Sequence, residues 1–190
     1  MNKLNCTQGG ILLNIARAAI AEKLDYPDTF PDMKNEPWLD STAATFVTLK
    51  KDGELRGCIG SLKAYQSLFS DLSSNAVSAA FRDPRFPTLT REEFKNIRIE
   101  ISVLTEPEEI SFSSESDALS QLRPGIDGVI FECGNFRSTF LPQVWEQLTS
   151  PELFMAHLKQ KAGLAPDFWS DEVQISRYGV EKFAESEDAE

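Results

Sequence analysis

The segment Leu55-Arg56-Gly57-Cys58-Ile59-Gly60 organises the reading of this chain. A cysteine between two close glycines, with an arginine beside it, is an unusual load for a strand, because glycine there marks a bulge or a close backbone approach. Immediately upstream, Thr45, Val47 and Leu49 alternate with Phe46 and Thr48, the period-two pattern of a strand. Asp52-Gly53 lies between the two segments and is a residue pair that tight hairpin turns prefer. The stretch therefore reads as a hairpin whose second strand bears the cysteine.

Working outward, Ile11, Leu12, Ile15, Ala16, Ala19, Ile20 and Leu24 recur at helical spacing and predict an amphipathic first helix. Tyr26 to Pro37 is proline-bearing and irregular. Ser67 caps a helix running to about Phe81, with Leu68, Leu72, Ala76, Ala79 and Ala80 inward, and Asp83-Pro84 ends it. Thr90 with Glu93 forms a capping box. Ile97, Ile99, Ile101 and Val103 alternate with polar residues in the clearest half-buried strand of the chain. A Glu/Ser-rich stretch follows, then a second hairpin over residues 128–140, a helix over 152–162 and a last strand over 173–178. Hairpins with helices grouped between them predict an α+β fold with antiparallel sheets and flanking helices, not a doubly wound one.

Composition narrows the function classes. A length of 190 residues suits one domain built as two lobes. The net charge of −11 disfavours nucleic-acid backbones and membrane surfaces as partners. Cys6, Cys58 and Cys133 are odd in number and far apart, which points away from a disulfide framework and toward a reducing cytoplasm.

Several ordered segments share one likeness: Leu55 to Gly60, Asn75-Ala76-Val77, Phe81 to Phe86, Ile99 to Leu104, Pro124 to Val129, Thr139 to Val144 and Lys161 to Leu164. Together they closely resemble the AMMECR domain family, whose microbial members are called AmmeMemoRadiSam system protein A. The resemblance spans nearly the whole chain. It implies a single two-lobed domain over residues 1–183 with a cleft near the cysteine motif; the Glu/Ser-rich stretch itself reads as the lobe junction, near 105–118, and the charge of residues 184–190 reads as an acidic, disordered tail. The microbial name implies association with a Memo-type protein and a radical SAM protein. Membership supplies no reaction, because function lives in the site rather than the fold.

The residues themselves offer three kinds of chemistry. Cys58 is the candidate nucleophile, with Arg56 on the same face of a regular strand to lower its pKa. The competing reading makes Cys58 a small packed residue and lets Gly57 and Gly60 form a bulge or give room; for nucleophilic catalysis this reading comes first. For ligand binding the order reverses, and Arg56, Gly57, Gly60, Arg82, Asp83 and Arg85 become candidate binding residues. In that reading Arg56 and Arg85 hold a small anionic group, Asp83 positions an arginine and Cys58 lines the site. Asp127, Glu132 and Arg137 could add charge from the second hairpin. A Cys-His pair would require His157, the one histidine, with no third group in view. No metal site and no cofactor are expected, since the Cys and His spacings are all long and no phosphate-binding loop is present. Arg82, Arg85, Arg91, Lys95 and Arg98 are the best case for RNA, diluted by Asp83, Glu92 and Glu93. The leading expectation is a ligand- or partner-binding component of a multi-protein modification pathway; the alternatives are a Cys58-dependent enzyme and an RNA- or protein-binding adaptor.

Overall fold

A computed structural model describes residues 4–26 and 36–186. Most of the connection expected from Tyr26 to Pro37 lies outside the described residues. The chain divides into two compact units, Met1–Leu104 with Glu181–Glu190, and Thr105–Val180.

The first unit opens with α1 (Cys6–Lys23), which begins about a turn before the expected apolar stripe. A capping box sets its start: Gln8 N donates to Asn5 Oδ1 and Asn5 N donates to Gln8 Oε1, both at 3.0 Å. Strands β1 (Thr42–Lys51) and β2 (Glu54–Gly60) form the first hairpin. Its turn residues Asp52 and Gly53 have φ of 52° and 80°, the left-handed pair that matches strand twist. Short β3 (Gln66–Ser67) leads into α2 (Leu68–Phe81), where Ser67 Oγ accepts from Ser70 N as the cap. Then come α3 (Arg91–Phe94), opened by the Thr90/Glu93 capping box, and β4 (Ile97–Leu104).

Five strands build this unit's sheet in the order β2-β1-β4-β9, with β3 pairing β1 and β9 spanning Val180–Ala184. Val47, Leu49, Ile99 and Ile101 cover one face and join Leu68, Leu72 and Ala76 of α2 and Leu12 and Ile15 of α1 in one buried core. The sequence reading ends its strands at Tyr178. The segment Val180–Ala184 is short, half-exposed and acidic in context, so its pattern is weak, and pairing at the sheet edge makes it a strand. The strand and the residue after it are tied down: Leu4 N donates to Glu181 Oε2 at 2.9 Å, and Ile99 N donates to Glu185 Oε2 at 2.9 Å. Of the acidic tail expected at 184–190, Ala184 closes β9 and Glu185 is bonded to the sheet; residues 187–190 lie outside the described ones.

The second unit holds β5 (Glu108–Glu109), α4 (Glu115–Ser120), β6 (Gly128–Cys133), β7 (Phe136–Phe140), α5 (Pro151–Lys161) and β8 (Gln174–Tyr178). Its sheet runs β5-β8-β6-β7, with antiparallel pairings. Trp145 stacks on Phe154 at 3.8 Å between ring centroids, and Trp145 Nε1 donates to the carbonyl of Asp127 at 2.7 Å. An apolar body with one satisfied polar tip is how tryptophan is buried at least cost. Both units are α+β with antiparallel pairing, as the hairpin pattern predicts. Among the described residues no helix is long and apolar enough to cross a membrane.

Candidate functional site

β2 is an edge strand, and its register against β1 contains a fault. Leu49 faces Gly57 but Lys50 faces Leu55, so Arg56 is the extra residue of a β-bulge. A bulge re-aims its side chain, and Arg56 turns into a buried setting, 8% exposed. There Nε and Nη2 each donate to a carboxylate oxygen of Glu93, at 3.0 and 2.9 Å, and Nη2 also donates to the carbonyl of Pro87 at 2.9 Å. This fork holds Glu93 down to a pKa of about 2, with its other donors, Thr90 N and Lys51, adding to the effect. Arg56 Nη1 is buried without an acceptor. The sequence reading sees Glu93 as a helix cap alone; the structure gives the same carboxylate a second task.

The two glycines of the motif are used for packing. A Cβ on Gly57 would stand 2.2 Å from the carbonyl oxygen of Ala79 in α2, and one on Gly60 would stand 2.3 Å from the ring of Phe46. Both positions let another part of the fold come close, which leaves little room there for a ligand.

Cys58 faces Thr48 across the hairpin, and Thr48 Oγ1 donates to Cys58 Sγ at 3.3 Å. The backbone of Cys58 points away from β1, where an edge strand has no neighbour. Two side chains take the place of one. Cys58 N donates to Asp83 Oδ2 at 2.9 Å, and Arg85 Nη2 donates to the Cys58 carbonyl at 3.1 Å. Arg85 Nε and Nη2 also grip both oxygens of Asp83, at 2.9 and 2.7 Å. Asp83 is 5% exposed, and these bonds hold its carboxyl far below the usual carboxylate range, Arg85 foremost, against the opposing effect of burial. In turn, the hydrogen bond to Asp83 foremost raises the Arg85 guanidinium, against the opposing effect of burial. The pair blunts the sheet edge with charge.

The structure thus brings Cys58, Asp83 and Arg85 into direct contact. The cation that touches the Cys58 residue is Arg85, whereas Arg56 spends its charge on Glu93. Arg82 caps the end of α2 and is exposed, with no ion pair among the described residues. Asp127, Glu132 and Arg137 belong to the second unit. Asp127 is fully buried and gripped by Arg123 through the backbone N at 2.9 Å and Nη2 at 2.6 Å, while Glu132 and Arg137 pair across their own hairpin at 3.1 Å. His157 lies exposed on α5. No group of three or more His, Cys, Asp or Glu among the described residues is placed to hold a metal ion.

A buried polar network supports the hairpin from below. Asp71 on α2 is fully buried and accepts from Thr45 N and Thr45 Oγ1 at 2.7 Å, Ser61 Oγ at 2.7 Å, Gln66 Nε2 at 3.1 Å and Asn75 Nδ2 at 2.9 Å. A carboxylate buried with a full set of donors is tolerable where an unpaired one is not. It locks the residue after the cysteine motif, Ser61, to both β1 and α2. Sequence reasoning misses this role, because an acid on the face of a helix reads as solvated until its partners are seen. Two hollows of this unit lie elsewhere, one along α1, β4 and β9 and one between the β1–β2 turn, β4 and the end of β9. The Cys58 cluster lies on the sheet edge and lines neither hollow.

A family model, AMMECR1, matches residues 13–183 of the chain. A protein of Methanothermobacter thermautotrophicus is 40% identical over 190 residues, covering 96% of each chain. One from Methanocaldococcus jannaschii is 39% identical, covering 98% of this chain and 94% of the relative. The crystal structure of an uncharacterized protein from Pyrococcus horikoshii superposes with a TM-score of 0.77 at 34% identity, covering 96% of this chain and 93% of that one.

Proposed function

The chain belongs to the AMMECR1 family, and from that premise we propose that it acts by binding, holding a small anionic ligand or an anionic group of a protein partner at Cys58, Arg82 and Arg85. One observation carries this reading. The guanidinium of Arg85 is fixed in place by Asp83 and the Cys58 carbonyl, yet its side chain is 54% exposed. Its Nε and Nη2 are engaged within the chain, which fixes the plane of the guanidinium. A preoriented, exposed guanidinium suits carboxylate or phosphate recognition, because little freedom remains to be lost on binding. Arg82, exposed three positions earlier in the chain, adds charge.

The same contacts argue against covalent catalysis. The side chains bonded to Cys58 come from Thr48, Asp83 and Arg85. Of these only Asp83 could take a proton, and its grip by Arg85 makes it a poor base near neutral pH. Arg56, which the sequence offers as the activating cation, is committed to Glu93. The microbial name of the family supports a place beside Memo-type and radical SAM proteins in a modification pathway, with a solvated cytoplasmic setting.

Titration of the folded protein with inorganic phosphate and with acetate at low ionic strength, followed by the backbone amide resonances of Cys58 and Arg85, tests the reading. Saturable shifts that vanish in Arg85→Gln and persist in Cys58→Ser are expected. Binding that survives Arg85→Gln unchanged refutes the proposal. Rapid iodoacetamide alkylation of Cys58 with an apparent pKa well below about 8.5 would favour the enzyme reading instead.

A further inference from the structure

The first unit contains a second feature that the Cys58 cluster leaves unused. A groove of about 810 Å³ runs beside α1 and is lined from β4 and β9 as well. Its charge is opposite to that of the chain. Among the described residues its lining holds Arg17, Lys95, Arg98 and Lys182 and one carboxylate, Glu185, in a protein of net charge −11.

The groups are not equivalent. Arg17 is committed: its guanidinium grips both oxygens of Glu185, and it donates to the carbonyls of Phe94 at 3.2 Å and Ile97 at 2.9 Å. It braces the wall. Lys95 and Lys182 are exposed and supply charge that can move onto a ligand. Leu13, Ile97 and Phe183 give the groove its apolar lining. Phe183 lies so close to α1 that a Cβ on Gly9 would stand 2.2 Å from its ring, whereas Gly10 has nothing within 4 Å and leaves the helix flank open. A concavity of several hundred Å³ that offers apolar contact beside polar groups can seat a small molecule, and clustered cations focus a positive potential into it.

We propose that this groove is a second binding site, separate from the Cys58 cluster, for a small organic oxyanion: a carboxylate or phosphate carried on an apolar body. Lys95 and Lys182 contact the anion, and Leu13 and Phe183 seat the body.

The exposed thiol of Cys6 lines the groove and serves as a built-in reporter. Alkylation of the full chain with iodoacetate, an anion, and with iodoacetamide, its neutral counterpart, is followed at Cys6 by peptide mass spectrometry. A focused positive potential should favour iodoacetate by about threefold or more over a Cys6 peptide, and the preference should fade with salt. Lys95→Glu with Lys182→Glu should abolish it. Phenyl phosphate, which joins an oxyanion to an apolar ring, should protect Cys6 better than inorganic phosphate. The comparison is repeated with Glu187→Gln, Asp188→Asn and Glu190→Gln together, so that acids near the C-terminus cannot mask the site. Protection appearing there also supports the groove. Equal rates for the two reagents, or no protection by phenyl phosphate in either background, overturns the proposal.

Discussion

Replacing Gly57 by alanine should damage the fold by a route unrelated to any ligand. The new Cβ would stand 2.2 Å from the Ala79 carbonyl oxygen and 3.2 Å from its carbon. Relief requires a separation of about 1 Å between two pieces of backbone, and a gap of that size forfeits roughly a quarter to a half of each dispersion contact it opens. The contacts at risk join α2 to the sheet, among them Leu72 and Ala76 against Val47 and Leu49, all fully buried. Overpacking costs about 1–3 kcal/mol, and a clash of backbone against backbone places this change near the upper end. For a chain of this size about 3 kcal/mol corresponds to a fall in Tm of about 6–12 °C. Gly10→Ala is the matched control: the same methyl inside α1 meets nothing within 4 Å and should stabilise by about 0.5–1 kcal/mol through helix propensity. Urea and thermal melts of the two variants should therefore move in opposite directions. A Gly57→Ala protein as stable as the parent would refute the packing account of the motif and return that glycine to a ligand.

Asp71→Ala should cost about 3 kcal/mol or more, because it takes the acceptor from four donors, Thr45 N, Thr45 Oγ1, Ser61 Oγ and Gln66 Nε2; chemical denaturation measures it. Arg56→Lys should lose about 1–3 kcal/mol, since an ammonium cannot reproduce the two-pronged grip on Glu93, and a double-mutant cycle with Glu93→Gln should show strong coupling. The Glu93 carboxyl lies lower in the folded protein than its ordinary 4.5, so its stabilisation is complete above that value and is lost as pH falls toward about 2. Melts across this window should slope less in Glu93→Gln than in the parent. Arg85→Ala should uncover the outward backbone of Cys58, and light scattering on concentrated samples should register increased self-association through the β2 edge.

Local signals recovered the elements with strong punctuation. Asp52-Gly53 marked the first turn, and Ser67 and Thr90 marked two helix starts, because caps and turns are settled by neighbouring residues alone. The site was legible only as a set of residue types. Arg56 and Cys58 two apart imply a shared face on a regular strand, but the bulge at Arg56 breaks that inference, and nothing in the sequence of β2 shows a register fault that depends on β1. The pairing of Asp83 with Arg85 could be guessed from proximity; their joint role as a substitute neighbour for Cys58 needed the knowledge that β2 lies at the edge. Glu93 and Asp71 were invisible as partners because their contacts come from 37 and up to 26 positions away. β9 was hidden for a similar reason, since its weak alternation is completed by pairing at the far edge of a sheet laid down much earlier in the chain.

That late strand has a consequence for the order of assembly. The first unit draws on residues before 105 and after 180, and its closing bonds, Leu4 to Glu181 and Arg17 to Glu185, bridge 177 and 168 positions. Contacts of such separation are the slowest to form, because the loop they close must be fixed before they repay the loss of freedom. During synthesis the intervening 76-residue unit, Thr105–Val180, leaves the ribosome before the strand that completes its predecessor exists. The part begun first is finished last, and until Val180–Ala184 arrives the flank of β4 is an unpaired edge in need of shelter.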